Sequence, residues 1–154
     1  YKMDILMKIL IALFLSLLPL FSKNIYFIQD CSNINELEAK IISQIAQTFL
    51  KEPKIFIAEA EEKISPYFSK DLSIEINCNN ANFIYIKKGS QFDINSCEHK
   101  NKIIFTNDKY IFKNNEDIFG AFYWFKSRPN VKLSSKKAKS LDIEIPDDYL
   151  KFVD

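Results

Sequence analysis

The sequence has almost no glycine. Gly89 and Gly120 are the only two in 154 residues. A glycine-rich phosphate loop or a dinucleotide fingerprint needs several, because backbone amides reach phosphates only where side chains are missing. Both are excluded, and no cofactor is expected. Histidine is scarcer still, with His99 alone. A catalytic zinc usually takes two or three histidines, or equivalent ligands, at fixed spacing. A Ser-His-Asp triad would have to use His99, and no nucleophile-elbow motif accompanies it. The three cysteines, Cys31, Cys78 and Cys97, contain no Cys-x-x-Cys pair, which excludes a thioredoxin-type redox site. Arg128 is the only arginine among 21 basic residues.

What is present begins with a leader. Met7 reads as the natural start, with residues 1–6 upstream of it. Lys8 precedes the apolar run Ile9–Leu18, and Pro19-Leu20-Phe21-Ser22 breaks it. This is the grammar of a secretory signal peptide. The run is too short for a spanning helix, which needs roughly 20 apolar residues. The expectation is cleavage after Ser22 and a periplasmic domain over residues 23–154, with an uncleaved anchor or a buried helix as the rival readings. Cys31 lacks the small-residue run that precedes a lipoprotein cysteine. The leader removes Lys2, Lys8 and Asp4 from 21 basic and 20 acidic residues, leaving the two signs equal. Bulk electrostatic binding to nucleic acid wants a clear basic excess and is not expected.

Export changes how the cysteines read. An oxidising compartment favours a disulfide. Cys78 and Cys97, each near the end of a predicted strand, are the expected pair, although connectivity does not follow from sequence alone. Cys31 is then odd: it is either buried or paired with another chain in a homo-oligomer.

Periodicity supplies the elements. Ile34, Leu37, Ile41, Ile45 and Phe49 recur at helical steps, with Glu36, Lys40, Gln44 and Gln47 opposite them. Ser32 or Asn33 caps this helix and Pro53 ends it. Asn24–Asp30 reads as a short extended stretch, and Lys54–Ala58, Leu72–Asn77, Phe83–Ile86 and Ile103–Thr106 read as strands. Glu59–Phe68 reads as a helix weakened by Pro66. Ile118–Phe125 is apolar on both alternating sets, which predicts a central strand covered on both faces. Lys126–Asn130 turns the chain and Val131–Leu133 returns antiparallel. Ser134 caps a helix to Leu141, and Pro146 opens a last one through Phe152. The expectation is a single small α/β domain, a mixed sheet of about five strands with helices packed on it.

Candidate sites are few. Cys97 and His99 stand two apart and would share a strand face, the arrangement of an activated thiolate. The plainer reading is an oxidised Cys97 beside an exposed His99. The carboxylates Glu59, Glu61, Glu62, Asp142, Glu144, Asp147 and Asp148 allow glycosidic acid–base chemistry only if a cleft sets two of them at the right separation. Arg128 follows the aromatic strand and can hold a carboxylate or phosphate, or stack on Trp124 or Tyr123. A turn arginine on aromatics is the plainer reading. Residues 126–139 carry Lys126, Arg128, Lys132, Lys136, Lys137 and Lys139 with no acid between them.

The segment Asp117-Ile118-Phe119-Gly120-Ala121-Phe122-Tyr123-Trp124-Phe125-Lys126-Ser127-Arg128-Pro129-Asn130 resembles the D-x-x-GAFFW-x-K-x-RPN stretch of small exported proteins of epsilon-class proteobacteria. The resemblance implies half of a periplasmic solute-binding fold, with no established activity attached. Ser127 stands where the pattern expects glycine. Together these readings favour a non-enzymatic periplasmic domain that binds an envelope protein, as flagellar-motor scaffolds do. The alternative is a small solute-binding module with Tyr123, Trp124 and Arg128 lining a site at the strand ends. An enzyme built on Cys97 and His99 comes third.

Overall fold

A computed structural model describes residues 33–61 and 63–154. The leader, the Asn24–Asp30 stretch, Ser32, Cys31 and Glu62 lie outside the described residues.

Helix α1 (Ile34–Phe49) starts where the Asn33 side chain accepts the Asn35 amide, so Asn33 is the cap. Strand β1 (Lys54–Ala58) follows Pro53. Next come β2 (Ser73–Glu75), β3 (Phe83–Ile86) and β4 (Ile103–Thr106). Helix α2 (Lys109–Asn114) is capped by Asp108. Strands β5 (Gly120–Phe125) and β6 (Arg128–Leu133) form a hairpin, and α3 (Ser135–Ser140) and α4 (Asp147–Leu150) close the described chain. The six strands lie in the order β2-β1-β3-β4-β5-β6. All neighbours are parallel except β5 and β6.

The sheet is covered on both sides. Ile55, Phe83, Ile103, Phe105 and Phe122 pack under α1, with residues of α3 and α4 alongside. Ile84, Ile86, Ile104 and Ile118 pack on the other side against Ile111 and Phe112 of α2 and Phe92 and Ile94 of a loop. That double cover is why β3 and β4 read as continuous apolar runs.

Several expectations need correction. The central strands are β3 and β4, not the aromatic segment. That segment is second from the edge, and only its first half is buried. The mixed sheet itself is as expected, with six strands in place of about five. Glu59–Phe68 is not an α-helix. Among its described residues the regular turn is the 3-10 turn Ser65–Tyr67, because Pro66 has no amide to donate and Glu59 Oε1 instead accepts the Ser65 amide at 2.9 Å. The buried stripe of α1 is rotated: Ile34 is 64% exposed, whereas Asn35, Glu38 and Ile42 are buried. Helix α2, opened by a capping aspartate, went unread in the sequence. The turn after β5 is tight, two residues long, and puts Lys126 and Ser127 at positive φ of 50° and 59°. Two consecutive left-handed residues match the twist of a hairpin, which explains why glycine is expected at Ser127.

Gly120 has a packing role. A Cβ there would meet the Phe105 ring and come within 2.8 Å of the Lys132 carbonyl. The Cys78–Cys97 disulfide is formed, with Cα atoms 6.0 Å apart. Lys102 Nζ donates to the carbonyls of Cys78, Asn79 and Ala81, each at 2.7 Å, and pins the turn that carries Cys78.

Candidate functional site

The last aligned row of the parallel sheet holds Ala58, Ile86 and Thr106. One residue further along, Glu59, Lys87 and Asn107 leave their strands side by side. Alternation turns all three toward the α1 side, above Tyr85. There Lys87 and Asn107 meet Asn35 and Glu38 of the rotated α1 stripe. Tyr85 Oη donates to Glu38 Oε1 at 2.6 Å, and Asn107 Nδ2 donates to the same oxygen at 3.2 Å. Lys87 Nζ stands 3.8 Å from Glu38 Oε1 and donates to Asn35 Oδ1 at 3.4 Å. Asn35, Glu38, Tyr85 and Lys87 are all buried. Burial, reinforced by the charge of Glu38 and its hydrogen bond, pushes the Tyr85 phenol well above its usual range. It stays a neutral donor.

Position in the topology gives this cluster its interest. From β1 the chain goes to β2 on one side, while β3 lies on the other. Open α/β sheets take ligands beyond the carboxyl ends of their strands at this reversal. Glu59 stands at that place. Its Oε1 is satisfied by Ser65, but its buried Oε2 has no hydrogen-bond partner. A buried carboxylate oxygen without a donor is costly, and its natural complement is a group that brings one.

The residues singled out from sequence do not gather there. Trp124 lies on the α1 side of β5, edge-on to Phe122 with ring centres 6.0 Å apart. Tyr123 faces the other side, where Lys109 Nζ is 5.4 Å from its ring centre. Arg128 pairs in register with Phe125 and shares the Tyr123 side. The three therefore line no common pocket. The cations over the rings are Lys109, which also reaches Phe125, and Lys126. Beside them runs a groove lined by Lys109, Phe112, Lys113, Tyr123, Lys132 and Asp154.

The basic stretch is divided. Lys132 pairs with Asp154, Lys136 with Glu116 at 2.7 Å, and buried Lys137 with Asp117 at 3.1 Å. Lys126 and Arg128 project at the hairpin. His99 is not exposed as expected: Nε2 is 3.3 Å from Asp117 Oδ2 and Nδ1 is 3.0 Å from the Cys97 carbonyl oxygen. The disulfide also removes the Cys97 thiol from any partnership with this imidazole. Among the described residues, no group of three His, Cys, Asp or Glu side chains could hold a metal ion, and no helix is long and apolar enough to cross a membrane.

Sequence reading missed Glu38, Lys87 and Asn107. A signal existed for two of them. Lys87 continues the Phe83–Tyr85 alternation, and Glu38 falls four residues before Ile42 and seven before Ile45.

Comparison with protein-family models, with curated proteins and with solved structures finds no match.

Proposed function

We propose that this domain is a non-enzymatic periplasmic component of the cell envelope that works by holding a protein partner. The observation that carries the reading is the contrast between the two sheet edges. On β6, Pro129 removes an amide from the edge, and Leu133 is bridged by Val153. Both devices discourage edge pairing. Strand β2 has neither. Among the described residues it pairs only with β1, and it presents Ile74 and, just beyond, Ile76, which is 98% exposed. An uncovered edge with apolar side chains fits an extended segment of a partner protein added as a further strand. The formed disulfide suits an oxidising compartment.

A photo-crosslinking residue at Ile76, expressed in the native envelope, tests this. A discrete adduct that disappears with Ile74→Glu supports the reading. Adducts only with abundant bystanders sink it.

Glu59 favours a second reading, a small-solute site at the β1/β3 reversal for a ligand bearing an ammonium or hydroxyl donor. A thermal-shift screen of amino acids and polyols checks it, since a ligand that binds only the folded state raises the melting point. A flat response with the native chain rules it out.

A further inference from the structure

Exposure rises steadily along β5. Phe122 is fully buried, Trp124 is 41% exposed and Phe125 is 52% exposed. Every residue from Trp124 to Pro129 is exposed. This tip carries three apolar side chains, Trp124, Phe125 and Pro129, and two cations, Lys126 and Arg128. Lys109 adds a third cation from α2, within 5.6 Å of the Phe125 ring centre. No acidic residue occurs between Ile118 and Leu141.

The two large rings lie on opposite faces of the hairpin. Trp124 belongs to the α1 side and Phe125 to the α2 side. A protein groove of ordinary depth covers one face of a hairpin and leaves the other ring in water. A bilayer interface closes around a projecting tip and receives both. It also suits the remaining chemistry: indole sits well at the headgroup level, and lysine and arginine meet anionic phosphates there.

We propose that the β5–β6 tip inserts Trp124 and Phe125 into the interface of an anionic phospholipid bilayer, with Lys126, Arg128 and Lys109 on the headgroups. The complementarity of charge selects the occupant. A cationic tip without acids is drawn to phosphatidylglycerol-type surfaces, and its charges gain nothing from neutral ones. The tip lies at the carboxyl end of the sheet, on the edge opposite β2. Five strand spacings, about 24 Å, separate the two edges. The crosslink at Ile76 and the emission of Trp124 are read at opposite edges of the sheet, so either proposal can fail without the other.

Trp124 is the chain's only tryptophan, so it reports on its own tip. The full chain is mixed with vesicles of phosphatidylethanolamine and phosphatidylglycerol in a three-to-one ratio, and separately with phosphatidylcholine vesicles. The expected result is a blue shift of emission, with quenching by bromine-labelled acyl chains, on the anionic vesicles alone. Lys126→Glu with Arg128→Glu should weaken the response roughly tenfold or more, given the attraction per basic residue at such a surface. Phe125→Ser should weaken it while leaving the reporter in place. Lys51→Glu with Lys54→Glu, the same charge change at the amino end of the sheet, should leave it unaltered.

The apolar run Ile9–Leu18 can bind vesicles by itself, and the reporter separates that case. Unshifted, unquenched Trp124 on a chain that sediments with the vesicles overturns the proposal. So does an equal loss in the Lys51 and Lys54 variant. A shift with polyglutamate but not with vesicles assigns the tip to an acidic protein instead and also overturns it.

Discussion

The Tyr85 hydroxyl, at the end of β3, donates to Glu38 on α1 across 47 residues of sequence. It is one of two hydrogen-bond donors, with Asn107, on a single buried carboxylate oxygen, and the Lys87 ammonium adds an ion pair at 3.8 Å. Tyr85→Phe removes one hydrogen bond and leaves the Asn107 bond and the Lys87 ion pair, so a loss of about 1–3 kcal/mol is expected. Glu38→Ala leaves the Lys87 ammonium buried without its counter-charge, and a larger loss of about 3–5 kcal/mol follows. Urea unfolding of both variants orders them. Equal losses would mean the ion pair adds nothing beyond the hydrogen bond.

Alkaline pH probes the same contact. Burial, then the charge of Glu38, raises the Tyr85 phenol above its unfolded value. The folded chain therefore binds that proton more tightly than the unfolded chain. The associated stability is whole below the unfolded phenol value, about 10, and is lost as pH climbs through the folded one. The advantage of the native chain over Tyr85→Phe should hold up to that range and shrink above it, as read from unfolding midpoints.

Asp117 behaves in the opposite sense. The hydrogen bond from Lys137 lowers its carboxyl below the usual value, against the effect of its partial burial, with Lys137's charge and His99 adding to the lowering. Its contribution is present above the unfolded value, about 4, and disappears as pH falls through the folded one. Asp117→Asn should be less stable than the native chain at neutral pH and should converge with it in acid. Thermal melts across that range provide the check.

The disulfide closes 19 residues of sequence between β2 and β4. Cys78→Ser, Cys97→Ser and the double variant should each lose about 3 kcal/mol. The double variant should be no worse than either single one. Reductant should bring the native chain to the same level in denaturant titrations, and an unaltered midpoint would show that the bond constrains little.

The hairpin and its neighbour give two changes of opposite sign. Gly120→Ala forces a methyl against the Phe105 ring and the Lys132 carbonyl, and overpacking of this kind removes about 1–3 kcal/mol. Ser127→Gly relieves a left-handed residue by about 1 kcal/mol. A rise in melting temperature of about 4 °C is then expected.

Local pattern explains what the sequence revealed. Lys54–Ala58, Phe83–Ile86 and Ile103–Thr106 are short apolar runs between turn residues, and each is a strand with those bounds. Ser134 is a cap because its oxygen accepts the Lys137 amide at 3.1 Å. The polar cluster was hidden for a different reason. Its members come from α1 and from the ends of β3 and β4, and their burial depends on how α1 is rotated over the sheet. Ile34 looked as apolar as Ile42, and only packing distinguishes them. The aromatic segment misled because a run that is apolar on both faces describes a covered strand and an exposed tip equally well.

Scarcity of glycine has one more consequence. Most tight hairpins turn on residues with little or no side chain, and their outermost point is chemically blank. Here Lys126 and Ser127 occupy the left-handed positions, so the exposed bend of the hairpin carries an ammonium and a hydroxyl. The bend is itself decorated, and its decoration can be altered residue by residue without redesigning the strands that hold it out.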